Sequence, residues 1–176
     1  MDAQTPALET RRLVLREMAL TDAGFLLALL NDPSWLENIG DRGVRSLADA
    51  ESYIASNIRA HHQAHGYGMY ALQPRSAAQP IGMCGLVRRE FLPAPDLGVA
   101  LLPDWAGQGY AAEAARAVMV HAADELGVRQ LLAIVRPGNQ RSVRLLERLG
   151  FRHQGPCPTP EGVALELYGT QLQPSA

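Results

Sequence analysis

The chain has 176 residues, 47% hydrophobic and 19% charged, a balance that fits one soluble domain with its own core. The formal net charge of -2 gives no electrostatic support to a nucleic-acid partner, and the polar opening residues, with Asp2 and Glu9, do not read as a signal peptide. No apolar run approaches a membrane span, and Cys84 and Cys157 stand far apart without zinc-finger spacing, so the expectation is a cytoplasmic protein with free thiols, no metal and no membrane partner.

Residues 1–9 read as a loose lead-in to a single domain spanning 1–176. Leu13–Arg16 reads as a strand. Thr21 is placed to cap a helix over Asp22–Leu30, with Phe25, Leu26, Leu29 and Leu30 on one face, and Asn31-Asp32-Pro33 reads as its end. Ser46-x-x-Asp49 resembles a capping box, and Ala50, Tyr53, Ile54 and Ile58 follow at helical spacing. Gly68–Gln73 and Ile81–Glu90 read as the strands of a hairpin around the turn-rich Pro74–Pro80. After Leu92-Pro93-Ala94-Pro95 comes a third strand, Asp96–Leu102. A long helix over 111–126 is stopped by Gly127. Then follow a buried-type strand, Leu131–Val135, a short helix, Ser142–Leu149, stopped by Gly150, and closing strands at Phe151–His153 and Val163–Tyr168. This order predicts a mixed α/β (α+β) sandwich and not a doubly wound sheet.

The most informative stretch is the turn from Pro103 to Glu113. A strand runs into Gly107-Gln108-Gly109, and Tyr110-Ala111-Ala112 opens the long helix. The first N–H groups of a helix lack internal partners and carry partial positive charge, and glycines let a ligand approach the backbone. Together they suit a diphosphate, although a glycine turn with nothing bound fits the same residues. Gly107-x-Gly109-x-x-Ala112 also satisfies the relaxed dinucleotide fingerprint. Against a nicotinamide or flavin stand the four residues Pro103–Ala106 before the first glycine and the next strand's end at Val135-Arg136, which lacks the acidic residue expected near the ribose. Too little chain follows to complete a doubly wound sheet.

Downstream, Val135-x-Pro137-x-Asn139-x-x-Ser142-x-x-Leu145-Leu146-Glu147-x-Leu149-Gly150-Phe151 is similar to a signature of GNAT acetyltransferases, in the branch named for RimJ and RimL. Trp105-x-Gly107-x-Gly109-Tyr110-Ala111-x-Glu113-Ala114 resembles the acyl-CoA motif of the same branch. Thr10-x-Arg12-Leu13-x-Leu15-Arg16 resembles its opening, and Asp96-Leu97-Gly98-Val99 its following strand. The order of these motifs covers nearly the whole chain. One position departs from the broader pattern: Ala106 stands where Gln or Arg is usual, which leaves the diphosphate to backbone amides.

The resemblance implies a mixed, mostly antiparallel sheet flanked by helices and splayed around an acyl-CoA site. It implies an acetyl-CoA-dependent N-acetyltransferase acting on a primary amine, either a small molecule or a protein N-terminus, in a ternary complex. The main chain of Gly107, Gln108, Gly109, Tyr110, Ala111 and Ala112 is expected to hold the diphosphate. Leu101 and Leu102, where the strand is expected to splay, would pair with the pantetheine arm, and an N–H between Val99 and Leu101 would face the oxyanion. Asn139 sits where a helix cap belongs and, by resemblance, against the CoA arm. By resemblance Ser142 is expected to assist thiolate departure, and a solvated serine in the first turn of a helix fits the same position equally.

Asp96 is the first candidate for the base. With an ordinary pKa of ~3.9 it needs burial or a water relay, and a mere turn position after Pro95 is an equal reading. Glu166 is the second candidate, and Glu113 reads as structural. His61, His62 and His65 read as a polar helix end in preference to a metal site, and Trp35 and Tyr53 as core in preference to an acceptor pocket. An α-amine is mildly favoured as acceptor, since its pKa of ~7.7–8.0 asks less deprotonation than the ~10.4 of lysine. The chain is expected to be a monomer or a homodimer. The alternative is an acyl-CoA-binding or sensor module without turnover.

Overall fold

The computed structural model describes residues 8–176. Of the lead-in expected over 1–9, residues 1–7 lie outside the described residues, and Leu8–Glu9 is a short strand, β1, paired with β2 (Leu13–Arg16). A 3-10 turn at Leu20–Asp22 leads into α1 (Ala23–Leu30). Thr21, the expected cap, lies inside that turn. Asp22 precedes the helix instead, and its carboxylate accepts the Ala19 N–H and a bidentate pair from Arg16 at 2.7 and 2.9 Å. Asp32-Pro33 starts a new helix, α2 (Pro33–Asn38). Asp32 accepts the Ser34 N–H at 2.9 Å, and the proline takes the first helical position, where no N–H is needed. α3 (Leu47–Tyr53) begins on the expected capping box, with Ser46 and Asp49 bonded reciprocally at 3.1 and 3.0 Å. It continues through a π-helical stretch, Ile54–Arg59, into α4 (Ala60–His65).

β3 (Met69–Pro74), β4 (Gly82–Val87) and β5 (Asp96–Leu101) form an antiparallel meander beside β2. α5 (Tyr110–Asp124) crosses over to β6 (Gln130–Val135), which runs parallel to β5. α6 (Gln140–Arg148) leads to β7 (Arg152–Cys157) and β8 (Leu165–Gln171), with β8 inserted between β6 and β7. The sheet order is β1-β2-β3-β4-β5-β6-β8-β7, all antiparallel except β5 with β6, so the expected mixed, mostly antiparallel architecture is the one observed.

Strand alternation sorts the core onto two faces. On one, Leu13, Leu72, Cys84, Leu97 and Ala133 pack against Ala114, Ala115, Val118 and Ala122 of α5 and against Leu145 of α6. The alanine stripe lets α5 lie close to the sheet. On the other face, Ala71 and Met83 lie under α1–α4 through Leu26, Leu30, Trp35 and Ile54. A smaller cluster on this second face joins Leu132 and Cys157 to Leu92, in the loop between β4 and β5. Gly127 ends the α5 region at φ 66°, as its position after the apolar stripe predicts.

The first turn of α5 is fixed from outside by Glu113. Its carboxylate accepts the Thr10 hydroxyl at 2.6 Å, the Arg12 N–H at 2.8 Å and the Arg12 Nε at 2.7 Å. Arg12 also donates to the Gln108 carbonyl at 2.9 Å and lies 4.1 Å above the Tyr110 ring. Partial burial works to raise the Glu113 pKa, but these hydrogen bonds together outweigh it and hold it below the ordinary value. A depressed folded pKa stabilises above the unfolded value, and that stabilisation is lost as pH falls through the folded one. Glu113→Gln is therefore expected to lower stability near neutral pH by about 1–2 kcal/mol. Urea unfolding should show this gap narrowing at acid pH; a gap equally wide near pH 2 and at neutrality would contradict the assignment.

Candidate active site

The site follows from a failure of pairing. β5 is bonded to β4 along its whole length, yet it pairs with β6 only at Asp96 opposite Leu132. The Leu132 N–H donates to the Pro95 carbonyl at 2.9 Å, and beyond that point the two strands part. In an antiparallel ladder successive residues point their N–H and C=O groups alternately to either side. The Leu102 N–H donates to the Ile81 carbonyl at 2.8 Å, so Leu102, Ala100 and Gly98 turn toward β4. Val99 and Leu101 turn the other way, into the gap. The divergence thus begins at Leu97, earlier than the expected Leu101-Leu102. The Leu102 main chain is also committed elsewhere, since its carbonyl accepts the Trp105 N–H at 3.0 Å. Of the two leucines expected to offer main-chain groups, only Leu101 has them facing the opening.

Both parallel strands end toward the same mouth, where α5 and α6 begin. The two helix starts differ. α6 is capped by Asn139, whose side chain accepts the Ser142 N–H at 3.3 Å. No side chain caps α5, and its first ladder bond is from the Glu113 N–H to the Gly109 carbonyl at 3.1 Å. The amides of Tyr110, Ala111 and Ala112 are therefore left to a ligand or to water. Gly107 and Gly109 have φ of 77° and 84°, the left-handed region that a Cβ disfavours. A Cβ built on Gly107 would meet nothing within 4 Å, whereas one on Gly109 would come within 3.3 Å of Arg12 Nη2. The turn is held by its own contacts: Gln108 Nε2 donates to the Asp104 carbonyl at 3.0 Å, and the Tyr110 ring is buried against Trp105.

Asp96 is 3% exposed, on the face that carries α1–α4. Arg89 Nε donates to its carboxylate at 2.5 Å, and the Ile134 N–H, beyond the last β5–β6 bridge, bonds to it as well. Burial outweighs the charge and hydrogen bond of Arg89 and the Ile134 N–H, which pull the other way, and leaves the carboxyl raised to about 6. Glu166 lies on the opposite face, opposite Val135 in β6, and bonds His153 Nε2 at 2.5 Å. The two candidate bases therefore do not share a site. Ser142 is half-buried in the first turn of α6, on the mouth side.

Several residues weighed in the sequence turn out to be structural. His61 Nε2 accepts the Arg88 N–H at 2.9 Å, so Nδ1 is the protonated nitrogen that donates to the Tyr67 carbonyl, and burial lowers the His61 pKa. His62 donates to the Met69 carbonyl at 3.0 Å. Among the described residues no group of three His, Cys, Asp or Glu could hold a metal ion. Trp35 is buried and donates to the Gly40 carbonyl at 3.0 Å. Cys84 is fully buried, which pushes its thiol up to about 12. No described helix is long and apolar enough to cross a membrane. Sequence reasoning missed Arg89, seven residues before Asp96 and hidden in a loop without periodicity, and Arg136, which bonds the end of α2. A large open groove of about 720 Å³ follows the outer side of α5 and touches the turn only at Gly109.

Residues 12–152 match the family model described as Acetyltransferase (GNAT) domain. The chain is 26% identical over 152 residues to the uncharacterized N-acetyltransferase YoaA of Bacillus subtilis, covering 85% of each. It is similar to the crystal structure of an acetyltransferase from Agrobacterium tumefaciens, with a TM-score of 0.79, 27% identity, and 97% of this chain and 96% of that one covered. The fold is also that of RimL, a ribosomal L7/L12 alpha-N-protein acetyltransferase solved in complex with coenzyme A, at a TM-score of 0.80 with 20% identity and 94% and 97% covered.

The Asp96 environment can be tested directly. Arg89 is the main force lowering its pKa, so Arg89→Gln should move the carboxyl titration upward from about 6. Because the folded value is raised above the unfolded one, ionising Asp96 costs stability as pH rises from ~4 through about 6. Carbon-13 NMR of the Asp carboxyls, with Asp96→Asn for assignment, reads the shift. A midpoint that stays or falls in Arg89→Gln contradicts the pairing.

Proposed function

The chain belongs to the GNAT acetyltransferase family, and from that premise we propose that it moves an acetyl group from acetyl-CoA directly to the primary amine of a small molecule or a protein N-terminus. We place it with the RimJ/RimL-like branch, on its motifs and on the likeness of fold to RimL. The observation that carries the reading is the single β5–β6 bridge beside an uncapped glycine turn: free main-chain groups line a cleft whose mouth holds an open helix N-terminus.

Acetyl-CoA supplies an activated thioester carbonyl. The amides of Gly107, Gln108, Gly109, Tyr110, Ala111 and Ala112 bind its diphosphate, with no help from a side chain at Ala106. Val99 and Leu101 pair with the pantetheine arm as an added strand, and the Val99 or Leu101 N–H supports the carbonyl oxygen. Asn139, while capping α6, borders the same arm. The α5–α6 side of the sheet is filled by core, so the amine enters from the side of α1–α4. Asp96 takes its proton through a water, since its carboxylate is already engaged by Arg89 and Ile134. Ser142 donates a hydrogen bond to the departing sulfur.

A sensor without turnover would require neither a buried carboxylate with a pKa near working pH nor a hydroxyl at the mouth. Thiol release from acetyl-CoA with an amine panel decides between the two. Acetyl-CoA is expected to raise the melting temperature and NADP to leave it unmoved. Gly107→Asp should remove the acetyl-CoA effect in a folded protein. An Asp at this positive φ is strained, but its Cβ would meet no atom within 4 Å, so the fold has room for it and the added charge opposes the incoming diphosphate. Unchanged CoA affinity in that variant, or stabilisation by NADP alone, would sink the reading.

Ser142→Ala is expected to lower kcat by roughly ten- to a thousandfold with little change in CoA affinity, because the bond forms mainly in the transition state. For Asp96 the base form is required, so wild-type kcat/KM should fall as pH drops through about 6. Asp96→Asn should lose that limb, and its deficit should shrink at high pH, where the amine arrives neutral. Near wild-type rates in both variants, or a Ser142→Ala defect confined to CoA binding, would reassign these residues.

A further inference from the structure

Arg136 follows β6 by one residue, on the same face as Leu132 and Ile134 and therefore on the side where the acceptor enters. From the open end of the cleft it reaches across to α2, where its Nη1 donates to the Glu37 carbonyl at 3.0 Å. That contact lays a solvent-accessible guanidinium over the gap between the end of β6 and the end of α2. Arg12, Arg16, Arg45, Arg75 and Arg89 each pair with a carboxylate, Arg129 bonds only carbonyls, and Arg136 likewise has no acidic partner among the described residues. Its one hydrogen-bond acceptor is a neutral carbonyl, and a guanidinium offers five N–H donors. Gly40, at φ 118°, lies beside Nη2; a Cβ there would sit at 3.5 Å, and its absence leaves that side of the guanidinium uncovered. A cation near the end of a short helix gains little from it. A carboxylate or phosphate would bind the same fork with two parallel charge-assisted hydrogen bonds.

We propose that Arg136 recognises an anionic group on the acceptor, so that the preferred substrate is a small amine carrying a carboxylate or phosphate, such as an amino acid or an amino phosphate. This rests on the acetyltransferase reading. It makes Arg136 a specificity-determining residue at the acceptor mouth, with no part in the proton and thiolate chemistry assigned to Asp96 and Ser142.

Thiol release and product mass are measured with matched amines: amino acids against their amides, and aminoalkyl phosphates against the parent amino alcohols. Wild type should favour the anionic member in kcat/KM by roughly ten- to a hundredfold, the range of a charged hydrogen bond. Whichever pair shows the larger ratio tells carboxylate from phosphate. In Arg136→Gln the ratio should collapse toward one, with the loss falling on KM of the anionic amine, and Arg136→Lys should restore part of it. A ratio unmoved by Arg136→Gln overturns the proposal and leaves the enzyme reading standing. An equal loss for both members makes Arg136 a helix cap, which also overturns it. No thiol release with any amine sinks both.

Discussion

Two neighbouring parallel strands that stop pairing after one bridge impose the constraint on which the rest of this molecule depends. A sheet interior normally satisfies every N–H and C=O in its ladder. Here β5 keeps its β4 edge intact and gives up its β6 edge after Asp96. Asp96 is placed where this matters: its carboxylate takes the Ile134 N–H, the first β6 amide past the bridge. The same carboxylate that is read as a base thus relieves the strand separation it sits beside, and Arg89 reaches in from the β4–β5 loop to keep it charged. Burial and pairing act in opposite directions on its pKa, which ends near the range useful for proton transfer at neutral pH.

The two faces of the sheet divide the labour. α5 packs with an alanine stripe and α6 with leucines, and together they close one side of the cleft. On the other side, the cluster beneath α1–α4 and the one beneath the β4–β5 loop meet along the line of Asp96 and Gly98. Under the proposed function, this seam is the route by which an acceptor would reach a group held against Val99 and Leu101. The loop that roofs its closed end is itself anchored, through the bond from the Arg88 N–H to His61, to the start of α4. His61 is locked in one tautomer by that bond, so a residue read as part of a polar helix end ties the β4–β5 loop to α4.

Much of the architecture was legible because it is written in local signals. The Ser46–Asp49 box, the glycine stops at 127 and 150 and the alanine stripe of α5 each state their own structure. Asp32-Pro33 carried an equally local signal, an N-cap followed by a proline at the first helical position, and the competing habit of reading proline as a terminator hid α2. The turn at 107–109 was readable as backbone chemistry. The point of strand divergence was not, since it depends on which edge of β5 each residue faces, and that is fixed by the register with β4. Long-range pairs such as Arg89 with Asp96, Arg12 with Glu113 and Arg136 with Glu37 leave no periodic trace and emerge only once the chain has folded.

The contrast between the two helix starts at the mouth explains how one end of the fold can serve different tasks. α6 has its orphan amide satisfied by Asn139, so its first turn is rigid, and Ser142 is held in a fixed place by the helix it opens. α5 has no cap, and its first turn would be poorly ordered if Glu113 did not tie it to Thr10 and Arg12 from outside. That arrangement keeps the geometry of the turn while leaving its amides unpaired, which a capping side chain would not permit. A helix start with free amides and a helix-borne hydroxyl can therefore stand at the same mouth, because the support for the first comes from the β1–β2 turn and that for the second from within α6.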